Sequence, residues 1–344
     1  MKNTIKVLWF IAMVVVIGFS FTACDDDDNG GGTADPTNWT AVANSTFSYD
    51  RISAIAYGNG KFVAGGGYGK MAYSADGVNW TAVEDNTFGT NYYSNAINAI
   101  AYGNDTFVAV GNSGKMAYSA DGVTWTAVAD STFTDYINAI AYGNGKFVAG
   151  GGYGKMAYSA DGVNWTAVAD STITDHIYAI AYGNGRWVAG GGGYGKMATS
   201  TDGVTWAVVA DSTFDGYRIR AIVYGNNRFV VGGTSGAMVY SADGVNWTAV
   251  ADSTFDRYSI YAIAYGNGRF VAGGYEDKMA YSADGASWTA VADSTFTDHI
   301  YAIAYGNGRF VIGGENGKMA YCKLVRARGR HAFAKMYARK ILEE

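Results

Sequence analysis

Residues 137–167 read INAIAYGNGKFVAGGGYGKMAYSADGVNWTA, and close copies of this stretch fill most of the 344-residue chain. Four short runs of Ile, Val, Phe, Tyr, Met and Ala are separated by turns that contain Asn-Gly, Gly-Gly or Asp-Gly. These pairs favour tight turns because their residues tolerate positive φ. The stretch therefore predicts four short β-strands, and it lacks the 3.6-residue period of a helical repeat.

Three landmarks locate the copies along the chain. A tryptophan recurs at Trp39, Trp80, Trp125, Trp165, Trp206, Trp247 and Trp288. The segment Ala-Ile-Ala-Tyr-Gly, or Ala-Ile-Val-Tyr-Gly, starts at Ala54, Ala99, Ala139, Ala179, Ala221, Ala262 and Ala302. A methionine opens the third strand at Met71, Met116, Met156, Met197, Met238, Met279 and Met319. Four-stranded units of this length are typical of propeller blades, so we predict an all-β, seven-bladed β-propeller over residues 36–322.

The two ends of the repeat array are incomplete in complementary ways. The last copy stops at Met319-Ala-Tyr-Cys without a tryptophan strand, and the array opens with an orphan copy of that strand, Trp39-Thr-Ala-Val-Ala. We predict that the N-terminal strand pairs into the last blade and closes the ring. Such closure removes the open sheet edge, which is a site of aggregation.

The N-terminal residues have the pattern of a secretory signal. Lys2 and Lys6 precede an apolar run that ends at Phe21, and Phe-Thr-Ala-Cys follows at 21–24. The apolar run is shorter than the roughly 20 residues that a membrane-spanning helix needs. The segment resembles the lipobox of bacterial lipoproteins, although Phe21 stands where Leu is commoner. The resemblance implies that residues 1–23 are removed and that Cys24 carries lipid. It also implies a bacterial cell-envelope protein, anchored to the outer membrane or the cell surface.

The segments that flank the repeats differ from them in composition. Residues 24–35 are acidic and Gly-rich, as in a flexible tether. In residues 323–344, seven Lys or Arg stand against two Glu, and apolar residues fall at helical spacing over 331–343. We predict a short C-terminal basic helix there. The sequence leaves open whether it lies on anionic lipid, docks on the acidic body, or results from a shifted reading frame.

The turn between the third and fourth strands carries a family resemblance. It reads Ser-Ala-Asp-Gly-Val-Asn-Trp at 74–80 and is similar to the Asp-box (BNR) repeat of sialidase-type propellers, with one residue fewer between Asp and Gly. In that family the box is structural. The resemblance therefore implies a structural role for Asp76, Asp121, Asp161, Asp202, Asp243 and Asp284. An Asp at this place accepts hydrogen bonds from the backbone of its own turn.

The same resemblance raises the question of sialidase activity. Sialidases use an arginine triad, a tyrosine nucleophile paired with glutamate, and an aspartic acid–base. Their Arg-Ile-Pro segment is absent, since Pro36 is the one proline in the chain. The arginines at one repeat position are spread around the ring and do not converge as a triad: Arg186, Arg228, Arg269 and Arg309. We predict no catalytic residues and no enzyme activity, with a sialidase-like glycoside-processing enzyme as the alternative.

The loops after the second and fourth strands differ between copies, and the blade topology places them on one face. Their distinctive residues are Tyr49, Arg51, Tyr92, Tyr93, Tyr136, His176, Tyr217, Arg218, Arg257, Tyr258 and His299. Loops on a rigid scaffold commonly carry function, and tyrosine offers contact area at low entropic cost. We predict a binding module whose ligand is a glycan or a protein. The alternative is a purely structural surface protein whose loops have drifted.

Composition excludes several other classes of function. The net charge of −5 gives no nucleic-acid footprint over the body of the protein. His176 and His299 belong to different blades, and we find no metal-ligand or cofactor motif. If Cys24 carries lipid, Cys322 has no disulfide partner and is predicted to be a small buried residue at a position that is elsewhere Ser. We therefore predict a monomer attached to the membrane through its lipid, with no cofactor and no metal.

Overall fold

Seven separate four-stranded antiparallel sheets make up the described part of the chain. The structure is a computed structural model that describes residues 38–91, 94–214, 216–292 and 295–323. The innermost strand of each sheet contacts the innermost strands of two neighbouring sheets, and the cycle closes between the first sheet and the last. The predicted all-β, seven-bladed propeller is confirmed.

The strands of equivalent blades have nearly equal lengths. The innermost strands are β2 (Ile52–Gly58), β6 (Ile97–Gly103), β10 (Ile137–Gly143), β14 (Ile177–Gly183), β18 (Ile219–Gly225), β22 (Ile260–Gly266) and β26 (Ile300–Gly306). The second strands are β3 (Lys61–Gly66), β7 (Thr106–Gly111), β11 (Lys146–Gly151), β15 (Arg186–Gly191), β19 (Arg228–Gly233), β23 (Arg269–Gly274) and β27 (Arg309–Gly314).

The outer half of each blade is shorter. The third strands are β4 (Met71–Ser74), β8 (Met116–Ser119), β12 (Met156–Ser159), β16 (Lys196–Ser200), β20 (Met238–Ser241), β24 (Met279–Ser282) and β28 (Met319–Lys323). The outermost strands are β5 (Thr81–Ala82), β9 (Thr126–Ala127), β13 (Thr166–Ala167), β17 (Ala207–Val208), β21 (Thr248–Ala249), β25 (Thr289–Ala290) and, in the last blade, β1 (Thr40–Ala41). Single 3₁₀ turns follow five of the second strands, at Gly67–Gly69, Asn112–Gly114, Gly152–Gly154, Thr234–Gly236 and Glu315–Gly317.

Packing between blades explains why the inner strands are apolar on both faces. In β11, Phe147, Val148 and Ala149 are all fully buried, because a neighbouring blade covers each face of the sheet. Each innermost strand ends in a glycine over which the tyrosine of the next blade packs. The pairs are Gly58–Tyr102, Gly103–Tyr142, Gly143–Tyr182, Gly183–Tyr224, Gly225–Tyr265, Gly266–Tyr305 and Gly306–Tyr57. The last pair joins the seventh blade to the first, so one contact repeats around a closed ring.

The N-terminal strand closes the ring as predicted. Strand β1 pairs antiparallel with β28, with Thr40 opposite Tyr321 and Ala41 opposite Ala320. The N–H of Val42 donates to the carbonyl of Met319 over 2.9 Å. We call residues 38–48 the clasp, because beyond this pairing the segment buries two aromatic side chains, those of Trp39 and Phe47, in the last and first blades.

The Asp-Gly turns between third and fourth strands are held by their own side chains. In the first of them, the Asp76 carboxylate accepts the backbone N–H groups of Val78 and Asn79 at 2.9 and 2.8 Å, and the Ser74 hydroxyl at 3.0 Å. Burial alone raises the pKa of Asp76, but these hydrogen bonds outweigh it and hold the pKa below its ordinary value. The N–H donors of Thr205 and Val204 likewise lower the pKa of Asp202 to about 2.

Cys322 is fully buried, as predicted. It lies opposite Phe310 as Ser74 lies opposite Phe62 in the first blade. In the part of the chain that the structure describes, no helix is long and apolar enough to cross a membrane.

Several sequence predictions lie outside the described residues. These are the signal segment 1–23, the tether 24–35 with Cys24, and the C-terminal segment 323–344 apart from Lys323, which ends β28. Tyr92 and Tyr93 also lie outside them.

Candidate functional site

The antiparallel order of the strands gives the ring two different faces. Turns that join first to second and third to fourth strands lie on one face, which we call the turn face. In the third blade these are residues 143–146 and 160–165. The opposite face, here the loop face, carries the loops after second and fourth strands, such as residues 152–155 and 168–176. The loops that vary between blades therefore share one face, and the constant turns share the other.

Of the loop residues predicted from the sequence, those that the structure describes lie on the loop face but not in one place. Tyr49, Tyr136 and Tyr217 expose 86%, 46% and 40% of their surface. Arg51, Arg218 and Arg257 are exposed, whereas Tyr258 and both predicted histidines, His176 and His299, are half-buried. Among the described residues, Tyr49 and Tyr136 stack on no other ring, so these two do not extend a shared surface.

Two groups of loop residues do come together. His299 packs against Tyr275 with ring centroids 4.3 Å apart, and Tyr275 stacks on Tyr258 at 5.7 Å. On the far side of the propeller, the ring centroid of His176 lies 5.5 Å from that of Tyr153 and 5.8 Å from that of Tyr178. Both histidines are thus members of aromatic clusters, and among the described residues no group of three or more metal-binding side chains is present.

A further set of variable residues lies at the mouth of the central channel. In each blade the pairing of first and second strands slips by one residue after the opening isoleucine, as between Ile52 and Ala54. The residue in this β-bulge is Ser53, Asn98, Asn138, Tyr178, Arg220, Tyr261 or Tyr301. Bulges commonly redirect a side chain beside a functional site. All seven bulge residues are half-buried, between an almost fully buried isoleucine and an alanine.

The channel mouth encloses a cavity of about 120 Å³. Six of the bulge residues line it, together with the Ala and Ile residues that follow them in the innermost strands. Because these strands run from the loop face towards the turn face, the bulge residues form a polar rim above an apolar floor of isoleucines. Such a site suits one small polar group on a larger ligand.

One half of the rim is occupied by small polar residues that hold the blades together. Asn98 donates from its side-chain amide to the backbone carbonyl of Ile137 in the next blade over 3.0 Å, and to Oδ1 of Asn112 over 2.9 Å. Asn138 donates in the same way to the carbonyl of Ile177 over 3.2 Å. The amide hydrogens of Asn98 are therefore engaged within the protein.

The other half is aromatic and cationic. The Arg220 guanidinium lies 4.9 Å from the Tyr178 ring centroid, and Tyr261 stacks on Tyr301 at 5.1 Å. Arg51 lies 5.0 Å from the centroid of Tyr301 and donates from Nε to the Ser53 hydroxyl over 3.0 Å. We call Tyr178, Arg220, Tyr261, Tyr301 and Arg51 the channel-mouth arc. It spans five consecutive blades and ends at the small polar half.

Two tyrosines of the arc, Tyr261 and Tyr301, have raised pKa values and stay protonated well above neutral pH. Burial raises the pKa of Tyr261, and the nearby Arg220 charge offsets only part of that rise. Burial also raises the pKa of Tyr301, and a hydrogen bond to the Glu315 carboxylate raises it further. Arg220 is the one arginine that lines the cavity among the described residues, so the geometry there offers no arginine triad.

The sequence carries a signal for the rim at a single strand position. In the segment Ile-x-Ala-Ile-Ala-Tyr-Gly, position x is the one that varies most between copies, while its neighbours are almost constant. The Ala-Ile-Ala-Tyr-Gly landmark begins one residue later, at Ala54 and its equivalents, so it omits the variable position. When a strand is constant between copies except at one position, the side chain at that position is not constrained by the packing that keeps its neighbours constant.

No known protein family and no curated protein matches this chain. Solved propellers match it in fold. YCF48 from Cyanidioschyzon merolae is 17% identical, with a TM-score of 0.63 over 83% of this chain and 98% of its own. A structure of YCF48 bound to D1 peptide is also 17% identical, with a TM-score of 0.67 over 85% and 98%. The WD40 β-propeller domain of Doa1 is 10% identical, with a TM-score of 0.64 over 83% and 97%.

Proposed function

We propose that this protein is a cell-envelope lipoprotein whose propeller binds a segment of a partner protein on its loop face, without catalysis. The observation that carries the proposal is the channel-mouth arc. In a ring of near-identical blades, aromatic and cationic side chains replace small polar ones in four consecutive bulge positions, at the rim of a cavity.

Three further points support a protein ligand. The arc continues into the loop clusters, because the ring centroids of Tyr261 and His299 lie 6.2 Å apart and His299 packs on Tyr275. Tyr and Arg are, together with Trp, the residues most enriched where protein interfaces concentrate binding energy. YCF48, which shares the fold, has a structure with a peptide bound. The relation to Asp-box propellers of the sialidase type belongs to the same proposal, as a relation in scaffold only.

Selection of random displayed peptides on the full-length protein, purified in detergent, tests this function. We expect enriched peptides whose affinity falls at least tenfold in Tyr258→Ala, because truncating a tyrosine that is a binding hot spot costs about 2 kcal/mol or more, and about 1.4 kcal/mol corresponds to tenfold. Tyr217→Ala should show a smaller loss, since Tyr217 is more exposed. Affinity is measured by fluorescence anisotropy of the labelled peptides.

Val245→Ala is the control, because Val245 is 39% exposed and lies in an Asp-Gly turn on the opposite face. Its affinity for the peptides should stay within about twofold of the parent. An equal loss in Val245→Ala would contradict binding on the loop face. If the protein binds glycans on a parallel array but binds no peptide, its ligand is a sugar rather than a protein. Exposed tyrosine rings provide flat apolar surfaces for sugars as well.

The membrane anchor is part of the same proposal and rests on residues 1–28. The basic start, the short apolar run, Cys24 and the four aspartates after it together fit a lipidated N-terminus followed by a tether. Acyl chains contribute about 0.8 kcal/mol of membrane affinity for each buried CH₂, and two chains suffice for stable attachment.

Cys24→Ser is expected to release the protein from the membrane fraction, with detergent phase partitioning as the measurement. The matched control is Cys322→Ser, which removes the other cysteine and restores the residue found at this position in every other blade. Cys322→Ser should stay with membranes. If Cys24→Ser remains there as well, the protein is not anchored through this cysteine.

A further inference from the structure

Arg220 is the one charged residue among the seven bulge residues. Its Nε is buried and makes no hydrogen bond to any residue that the structure describes. The ion pairs between described residues are Lys70–Asp50 and Lys318–Asp298, so Arg220 belongs to neither. Burying a charged donor without an acceptor is unfavourable. The position therefore favours a ligand that brings the missing acceptor.

Stacking sets the orientation of Arg220. Its guanidinium lies over the Tyr178 ring at 4.9 Å, a contact that supports the charge by cation–π attraction. Stacking uses the flat face of the group, and the N–H donors point outward along its edges. The planar fork of an arginine matches the two oxygens of a carboxylate.

The surroundings leave this positive charge uncompensated. Tyr261, whose pKa burial raises, lies beside Arg220 as a neutral phenol and hydrogen-bonds to the Ser259 side chain, so it adds no negative charge. Glu315, the acid that reaches the arc, accepts the hydroxyl of Tyr301 and forms no ion pair with Arg220. A single guanidinium over a floor of isoleucines matches the single negative charge of a carboxylate better than the larger charge of a phosphate.

We infer that the channel mouth is a carboxylate-binding site, in which Arg220 receives the carboxylate of an acidic side chain or of a C-terminus on the bound protein segment. This inference rests on the proposed protein-binding function and names the chemical group that the site recognises. It also sets the orientation in which the segment binds. The anionic group enters the channel, and the rest of the segment lies over the loop tyrosines.

The arginine Nε–H resonances of ¹⁵N-arginine-labelled protein test the site directly. Titration with sodium acetate should shift the Arg220 signal saturably, while equal concentrations of sodium chloride should not. Arg220→Lys identifies the signal by its loss. Inorganic phosphate should bind at least tenfold more weakly than acetate. Absence of an acetate-specific shift, or tighter binding of phosphate, would overturn the inference whatever the outcome of the peptide selection.

Four peptide pools with one random core identify the source of the carboxylate. The first pair of pools differs at the C-terminus, which is a free carboxylate in one pool and an amide in the other. The second pair is amidated and differs at the central residue, which is Glu in one pool and Gln in the other. We expect at least a tenfold preference for one carboxylate pool over its neutral counterpart, lost in Arg220→Gln. The control is Arg269→Gln, because Arg269 also lies over a tyrosine, Tyr281 at 5.7 Å, but on the turn face.

The outcomes separate the two proposals. Peptides that bind without a carboxylate preference would remove the inference and leave the protein-binding function in place. An acetate shift at Arg220 with no binding of any pool would instead contradict a protein ligand and preserve the anion site.

Discussion

Deletion of residues 38–44 is expected to destabilise the entire propeller by about 5 kcal/mol or more, because it removes a buried aromatic residue together with the strand that closes the ring. Trp39 is 6% exposed and packs with residues of the last two blades, such as Phe296 and Phe310. Its loss leaves β28 as an open edge. The blades rely on their neighbours for burial, so we expect one cooperative transition at lower temperature rather than the melting of one blade.

Thermal unfolding followed by circular dichroism measures this loss. Trp125→Ala is the matched control, since Trp125 is also 6% exposed but lies in a blade whose strands are consecutive in the chain. It should cost about 3–5 kcal/mol through its cavity alone and leave the ring closed. A synthetic peptide of residues 38–48 should raise the melting temperature of the deletion variant, by adding the missing strand. If the deletion costs no more than Trp125→Ala and the peptide has no effect, the clasp does not hold the ring together.

Gly143→Ala is expected to destabilise the protein by about 3 kcal/mol, at the upper end for overpacking of a core. A Cβ at this position would lie 2.3 Å from Cγ of Tyr182 in the next blade. The Tyr182 ring cannot yield towards Trp187, against which it packs with ring centroids 4.9 Å apart. The blade interface must therefore open to admit one methyl group. Chemical denaturation with urea measures the change.

Gly145→Asn separates this steric effect from a general intolerance of substitution. Gly145 lies two residues further on, with φ of 73°, and a Cβ added there would meet no atom within 4 Å. The equivalent residue of the fifth blade is Asn227, at φ of 58°. Gly145→Asn should change the stability by less than about 0.5 kcal/mol. If both variants unfold at the same urea concentration as the parent, the contact between Gly143 and Tyr182 does not limit blade packing.

The repeat predicted most of the fold because propeller geometry is local. Each unit contains its own strands and turns, so the landmarks gave the number of blades, and the orphan Trp39 strand gave the closure. The outermost strands are shorter than the Trp-Thr-Ala-Val runs suggested. Trp80 precedes β5, whose residues Thr81 and Ala82 pair with β4, and the N–H of Val83 adds one more hydrogen bond to Met71. The tryptophan side chain packs in the blade, but its backbone does not pair with the neighbouring strand. The periodicity of the sequence does not distinguish these two roles.

The candidate site was only half predictable. Sequence differences drew attention to the loops of one face, but the arc depends on a slip in strand pairing that no single strand reveals. The stack of Tyr261 on Tyr301 joins residues 40 positions apart, in adjacent blades. Such neighbours follow from ring geometry, which places equivalent positions of successive repeats side by side around the channel.

The pairing of β1 with β28 also fixes the order of events when the chain is made. Thr40 emerges early during synthesis, whereas its partner Tyr321 emerges about 280 residues later. By the end of that interval every other third strand pairs with the fourth strand that follows it in the chain, so among the described blades β28 is the third strand left for β1. Among the described blades, the last one alone takes its outermost strand from the N-terminal part of the chain. Strand β1 therefore pairs with β28 because the other third strands already have partners, and the ring closes only after the last repeat has been synthesised.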